Sequence, residues 1–179
     1  MLLSAQKILH QKISDPAGSA AGAITGFFII RQTGKIYAIR VDQERCILFF
    51  NIKNFTTGGI ITFPRSVISI KDDGRVATLD EEQFAILGNQ AITESGKVLG
   101  EIKDFEFDHL DGQIVKYYVK TGLVSNLFKG QLVIHKDQVV ALKKEAVVVQ
   151  DSILPAEKGL KIWQKKAEIL PSPAAVAEG

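Results

Sequence analysis

Five carboxylates gather in one short stretch: Glu101, Asp104, Glu106, Asp108 and Asp111. Their oxygens are the ligands that calcium or magnesium prefers. A calcium loop curls its ligands around the ion, whereas Asp104, Glu106 and Asp108 alternate with Phe105 and Phe107. That alternation is the period of a strand with one apolar and one wet face. It predicts a solvated acidic face rather than a metal site, and no metal or other cofactor is expected. The histidines, His10, His109 and His135, lack partners at the i+2 or i+4 spacing of metal ligands. Arg45 beside Cys46 could lower a thiol pKa. Cys46 also opens the apolar run Cys46–Phe50, so it reads better as a buried strand thiol. No nucleophile elbow, phosphate loop or dinucleotide fingerprint occurs; Gly18, Gly22 and Gly26 are spaced four apart and miss the last of these. The residues therefore predict a non-catalytic protein.

Binding is the remaining class. The chain of 179 residues has a net charge of +2, so no bulk field draws it to nucleic acid or anionic lipid. All the arginines (Arg31, Arg40, Arg45, Arg65 and Arg75) nevertheless lie in the first 80 residues. Their planar forks favour phosphate and base contacts, so RNA binding, if any, belongs there. Candidate contacts to a protein partner are Phe55, Leu127, Phe128 and Trp163. The first three sit in matched loop segments and could instead cap their own core; Trp163 could instead pin a tail helix. A single cysteine excludes an intrachain disulfide and a cysteine-built zinc site. The N-terminus lacks the basic-then-apolar order of a signal peptide. The longest weakly polar stretch, 17–30, is too short to span a bilayer. The cytoplasm is the expected compartment.

An internal repeat organises these residues. GAITGFFIIRQTGKI at 22–36 matches GEIKDFEFDHLDGQI at 100–114, an offset of 78. Beyond Val41 the expected offset is 72, which pairs Val67, Ile68 and Ile70 with Val139, Val140 and Leu142. On that alignment the second copy is six residues shorter. Asp111-Gly112 and Thr33-Gly34 read as hairpin turns, and Gly22, Gly34, Gly100 and Gly112 as structural turn glycines. Runs 60–63 and 67–70 are expected to pair, as are 132–134 and 139–142. Asp73-Gly74 reads as a further turn. Several short strands in each 75-residue copy suggest a small closed barrel (roughly the strand count of such folds). In the tail, 156–170 places Leu160, Trp163, Ala167 and Leu170 on one helical face, closed by Pro171. Pro171 onward is expected to be disordered.

The pattern G-x-I-x-D-F-x-F-D-x-x-x-G-x-I, read in GEIKDFEFDHLDGQI and followed by an apolar strand, resembles the PRC-barrel domain. The first copy keeps the glycines and apolar positions but has Gly26 and Ile30 where Asp104 and Asp108 stand. The resemblance implies an all-β fold: two tandem PRC-like β-barrels packed together, 1–80 and 81–152, with a helix and tail at 153–179. It also implies a habit of contacting macromolecules without implying shared chemistry. The expected function is a non-catalytic adaptor making protein–protein contacts through barrel surfaces. The alternatives are an RNA- or ribosome-associated maturation factor, like the family's ribosomal members, and a membrane-peripheral assembly factor, like its photosynthetic one. Free strand edges leave a homo-oligomer open.

Overall fold

The computed structural model describes residues 1–121 and 131–154. The first half of the chain contributes β1 (Leu2–Ser4), α1 (Ala5–Ile8), β2 (Lys12–Ser14), β3 (Ala20–Ala23), β4 (Gly26–Ile30) and β5 (Lys35–Arg40). It continues with β6 (Arg45–Leu48), β7 (Ile52–Thr56), β8 (Gly59–Thr62), β9 (Val67–Ser69) and α2 (Gly74–Glu82). The second half contributes β10 (Gln90–Thr93), β11 (Val98–Asp108), β12 (Ile114–Thr121), β13 (Gln131–His135), β14 (Val139–Leu142) and β15 (Ala146–Val149). The protein is mainly β. Its strands form three sheets: β3-β2-β8-β7, β4-β5-β6-β9, and β13-β12-β11-β10-β15-β14 with β1 added on β11. Among the described residues the strand pairing closes none of them into a barrel.

The two halves repeat each other pair by pair. β5 pairs with β6 through Ala38–Leu48 and Arg40–Cys46; β12 pairs with β13 through Lys116–His135 and Tyr118–Val133. β8 runs parallel to β2 with Lys12 opposite Gly59, and β15 runs parallel to β10 with Gln90 opposite Ala146. The bulge between Ile52 and Asn54 on β7 recurs between Val139 and Ala141 on β14. The offset is therefore 78 as far as β5 and β12, and 87 afterwards. This corrects the expected offset of 72: the second copy is nine residues longer, not six shorter, and the extra length falls between β12 and β13. The expected hairpins 60–63 with 67–70 and 132–134 with 139–142 are also absent. A 3-10 turn lies between the members of each pair, Pro64–Ser66 and Lys136–Gln138, and redirects the chain so that β9 joins β6 and β14 joins β15.

Asp73-Gly74 begins a helix instead of a turn. The Asp73 carboxylate accepts from the amides of Arg75 and Val76, satisfying two of the donors that a helix start leaves orphaned. α2 lays Val76 and Leu79 on the outer face of β4-β5-β6, where Phe28, Ala38, Cys46, Leu48 and Ile70 form a small second core. Arg40 and Asp80, and Arg31 and Glu82, pair at its rim.

One larger core spans both copies. Phe27 of the first copy meets its equivalent Phe105 edge-on, with centroids 5.4 Å apart, and Phe49, Phe55 and Phe107 extend the cluster. Each such ring contact adds about 1 kcal/mol beyond its buried area. At the seam the two hairpin turns exchange identical bonds. The Ile36 amide donates to Gly112 O at 2.9 Å and the Ile114 amide to Gly34 O at 3.1 Å. Lys35 bridges Gln113, its own equivalent plus 78. Such reciprocity defines a pseudo-twofold axis. Gly34 (φ +67°) and Gly112 (φ +71°) hold the turns. Gly22 and Gly100 are not turn residues: they lie within β3 and β11, where a Cβ on Gly100 would strike the Lys120 carbonyl.

Candidate functional site

The exposed aromatic residues of the first copy cluster at one corner. Thr62 Oγ1 donates to Asn51 O at 2.9 Å, tying the start of β7 to the end of β8. Phe50 and Phe63 flank this tie and are 74% and 42% exposed. Lys53 is the extra residue of the β7 bulge, and its Nζ lies 5.1 Å from the Phe63 ring centroid. The Arg65 guanidinium lies 5.6 Å from the same centroid. Pro64 after Phe63 fixes the turn that brings Arg65 back over the ring. Among the described residues neither cation has a carboxylate within ion-pair distance. The corner thus sets two cations on the wet Phe63 ring, with the exposed Phe50 on the other side of the Asn51–Thr62 tie, a combination suited to an anionic partner that also offers an apolar or planar group. The equivalents in the second copy, by the offset of 87, are Asp137, Gln150, Val140 and Ser152, so the corner is not part of the shared scaffold.

Sequence reasoning missed this corner because Phe50 closes an apolar run and Phe63 a strand, both of which read as core. Its candidates were Phe55, Leu127, Phe128 and Trp163, with cover for their own core as the alternative for the first three. The Phe55 ring packs 5.8 Å from Phe49 and 6.1 Å from Phe107, half-buried against the main core. Of the two readings left open for Phe55, partner contact or cover for its own core, the structure shows packing against the core. Leu127, Phe128 and Trp163, with the predicted helix 156–170, lie outside the described residues.

The acidic strand is committed to local bonds. Asp104 accepts from Ser4 Oγ at 2.6 Å and from the Gln6 amide at 3.0 Å, so it anchors β1 and α1 to β11. Glu106 faces Lys116 Nζ at 3.4 Å. Asp108 accepts from the Leu110 amide at 2.9 Å within its turn. No group of three or more metal-ligating side chains converges among the described residues. His109 Nδ1 lies 3.0 Å from the Met1 carbonyl, and His10 occupies a left-handed position (φ +66°). Cys46 is buried in the second core. Burial, followed by the charge of Asp73, pushes its thiol pKa up to about 11, while Arg45 turns away to Asp42 at 2.6 Å.

A cleft of about 260 Å³ opens at the seam between Arg31, Gly34, Gln113, Tyr117, Lys136 and Leu142. Phe49 occupies the equivalent place on the other side of the axis, its ring against Gly112, and Lys136 replaces it here. The volume falls below the roughly 300 Å³ at which small-molecule sites begin. The Gln113 side-chain amide is already donated to the carbonyls of Thr33 and Ile114. The cleft is therefore a weaker candidate than the aromatic corner. No helix among the described residues is long and apolar enough to cross a membrane. A scan against protein-family models finds no match for this chain, and no curated protein matches it.

Proposed function

We propose that this protein is a non-catalytic adaptor that binds an acidic partner protein through the Phe50–Phe63 corner of its first copy. The observation that carries the reading is the exposed Phe63 ring flanked by Lys53 and Arg65, neither with an ion-pair partner among the described residues, next to a second exposed ring at Phe50. Large exposed rings are the anchors on which interfaces concentrate their energy. Cations at the rim steer an acidic partner to them. The bulge at Lys53 spoils the β7 edge as a template for strand addition, so the contact runs through side chains. The resemblance to tandem PRC-barrel proteins supports the same class of activity, with each half read as an opened version of that barrel.

The test is affinity capture from native lysate with wild type and with a Phe50→Ala/Phe63→Ala variant. A stoichiometric acidic protein that wild type retains and the variant loses supports the reading. A partner held equally by both overturns the assignment to this corner. RNA is the second reading, favoured by the cation-flanked Phe63 ring, which could stack a base. Cosedimentation with ribosomal particles that weakens with salt and is lost in Lys53→Glu would replace the adaptor with that reading.

A further inference from the structure

We propose that the seam cleft is a site for a small monocarboxylate with a ring-sized apolar body, held between the Tyr117 hydroxyl and the Lys136 ammonium. The cleft exists because the pseudo-twofold axis is broken at a few side chains. On the other side of the axis the equivalent space is plugged. There the Phe49 and Phe55 rings lie 5.8 Å apart, Phe49 comes within 3.3 Å of where a Cβ on Gly112 would stand, and Ile39 is fully buried in the same core. The offsets of 87 and 78 put Lys136, Leu142 and Tyr117 at the corresponding positions beside Gly34. Two rings are thereby lost, and a cleft of about 260 Å³ stands in their place. Cavities of about 150 Å³ already hold benzene, so there is room for one ring and a carboxylate, though not for a cofactor.

The same exchange brings in polar groups that the described residues leave unsatisfied. Tyr117 is only 2% exposed, yet its hydroxyl has no hydrogen-bond partner among the described residues. Buried hydroxyls are nearly always bonded, so this one calls for a partner from outside the chain. Burial raises its pKa, so the group keeps its proton and donates. A Cβ on Gly34 would lie 3.5 Å from Tyr117 Oη, 3.5 Å from Gln113 Nε2 and 3.8 Å from Leu142 Cδ1, which places the hydroxyl at the cleft wall next to an apolar methyl. Gln113 Nε2 is committed to the carbonyls of Thr33 and Ile114, leaving Tyr117 as the available donor at that point. Lys136 has no carboxylate within ion-pair distance among the described residues, whereas Arg31, the other lining cation, is bound to Glu82 at 3.0 Å. Asp137 also borders the cleft, but it holds the position of the outward Phe50 and is exposed. One unneutralised cation matches one negative charge, and Val139 and Leu142 offer an apolar wall to the body of the ligand. The inference is independent of the Phe50–Phe63 corner.

The test is a saturation-transfer NMR titration of the full chain with benzoate, with benzyl alcohol and inorganic phosphate as controls. Benzoate should bind saturably and both controls far more weakly. Tyr117→Phe keeps the ring, removes the hydroxyl and should weaken benzoate about tenfold, the loss expected for a hydrogen bond to a charged group. Lys136→Gln should weaken it comparably. Lys136→Phe installs the plug of the first copy and should abolish binding while the β-sheet circular dichroism stays unchanged. The Phe50→Ala/Phe63→Ala variant should bind benzoate as wild type does. No benzoate binding in wild type, benzyl alcohol or phosphate binding as tightly as benzoate, or benzoate affinity unchanged in both Tyr117→Phe and Lys136→Phe overturns the proposal. Benzoate binding that is lost only in Phe50→Ala/Phe63→Ala assigns the anion to the corner and also overturns it.

Discussion

The outer faces of β5 and β12 begin from the same backbone and end with opposite chemistry. On the first, Phe28, Ala38 and Leu48 are buried beneath α2. On the second, the same positions hold Glu106, Lys116 and His135. The inner faces scarcely differ: Ile39 and Tyr117, or Ile47 and Ile134, are all buried in the shared core. The duplication thus preserved what faces the partner copy and released what faces outward. Burial on both faces also explains why β4 reads as the continuous run Gly26–Ile30 while β11 alternates.

The largest expected effect tests whether equivalent glycines are equally constrained. Gly100→Ala drives a Cβ into the Lys120 carbonyl, backbone that cannot yield, at φ +150°. A loss of about 3 kcal/mol or more is expected. Gly22→Ala meets only the Val41 Cγ1 at 2.5 Å, a side chain that can turn, and should cost about 1–2 kcal/mol less. Urea titration of both variants measures the difference; equal losses would show that the two strands are held alike.

The second comparison is of the faces themselves. Val76→Ala removes buried methyls from beneath α2 and should cost about 2 kcal/mol. Val133→Ala, at the equivalent seat of the other sheet face, should cost no more than about 1 kcal/mol. The same urea midpoints decide, and a reversed order would break the contrast.

The thiol sharpens the picture further. Folding raises the Cys46 pKa from the usual 9.0 to about 11, so the native state holds its proton longer than the unfolded chain. Its contribution to stability is full below pH 9 and is lost as pH climbs toward 11. Cys46→Val, which installs the residue of the second copy, should flatten this decline relative to wild type. Denaturation midpoints from pH 8 to pH 11 provide the reading, and identical slopes would contradict it.

The smallest effect is at the seam. Asp111 is held below the usual carboxylate range, first by the Gln113 amide and then by Lys35, whose Nζ lies 3.3 Å away. Its stabilisation is present above the ordinary carboxylate pKa and fades as pH falls through the depressed value. Both side chains are about half exposed, so Asp111→Asn should cost under about 1 kcal/mol and remove part of the acid sensitivity.

Much of this architecture was legible in the sequence. The alternation at Phe105 and Phe107 and the turns at Gly34 and Gly112 locate β4, β5, β11 and β12, and the offset of 78 ties them together. The later offset was not legible. Short apolar strands resemble one another, so Val67-Ile68 aligned better with Val139-Val140 than with Leu154-Pro155, where the offset of 87 puts them. Only the hydrogen-bonded partner of each strand fixes the register. α2 hid behind Asp73-Gly74, because an Asp that caps a helix and an Asp that opens a turn use the same side-chain bond. The aromatic corner hid because nothing in the residue types of Phe50 and Phe63 says that a 3-10 turn points them outward.

The reciprocal bonds between the Gly34 and Gly112 turns carry a consequence for origin and assembly. A surface that matches its own duplicate also matches a second molecule of itself, so a chain of one repeat would associate head to head through this seam. Joining two repeats covalently makes that encounter intramolecular and frees folding from dependence on concentration. It also removes the requirement that both partners be identical. One half was then free to acquire an aromatic corner whose equivalent positions in the other are Asp137 and Gln150.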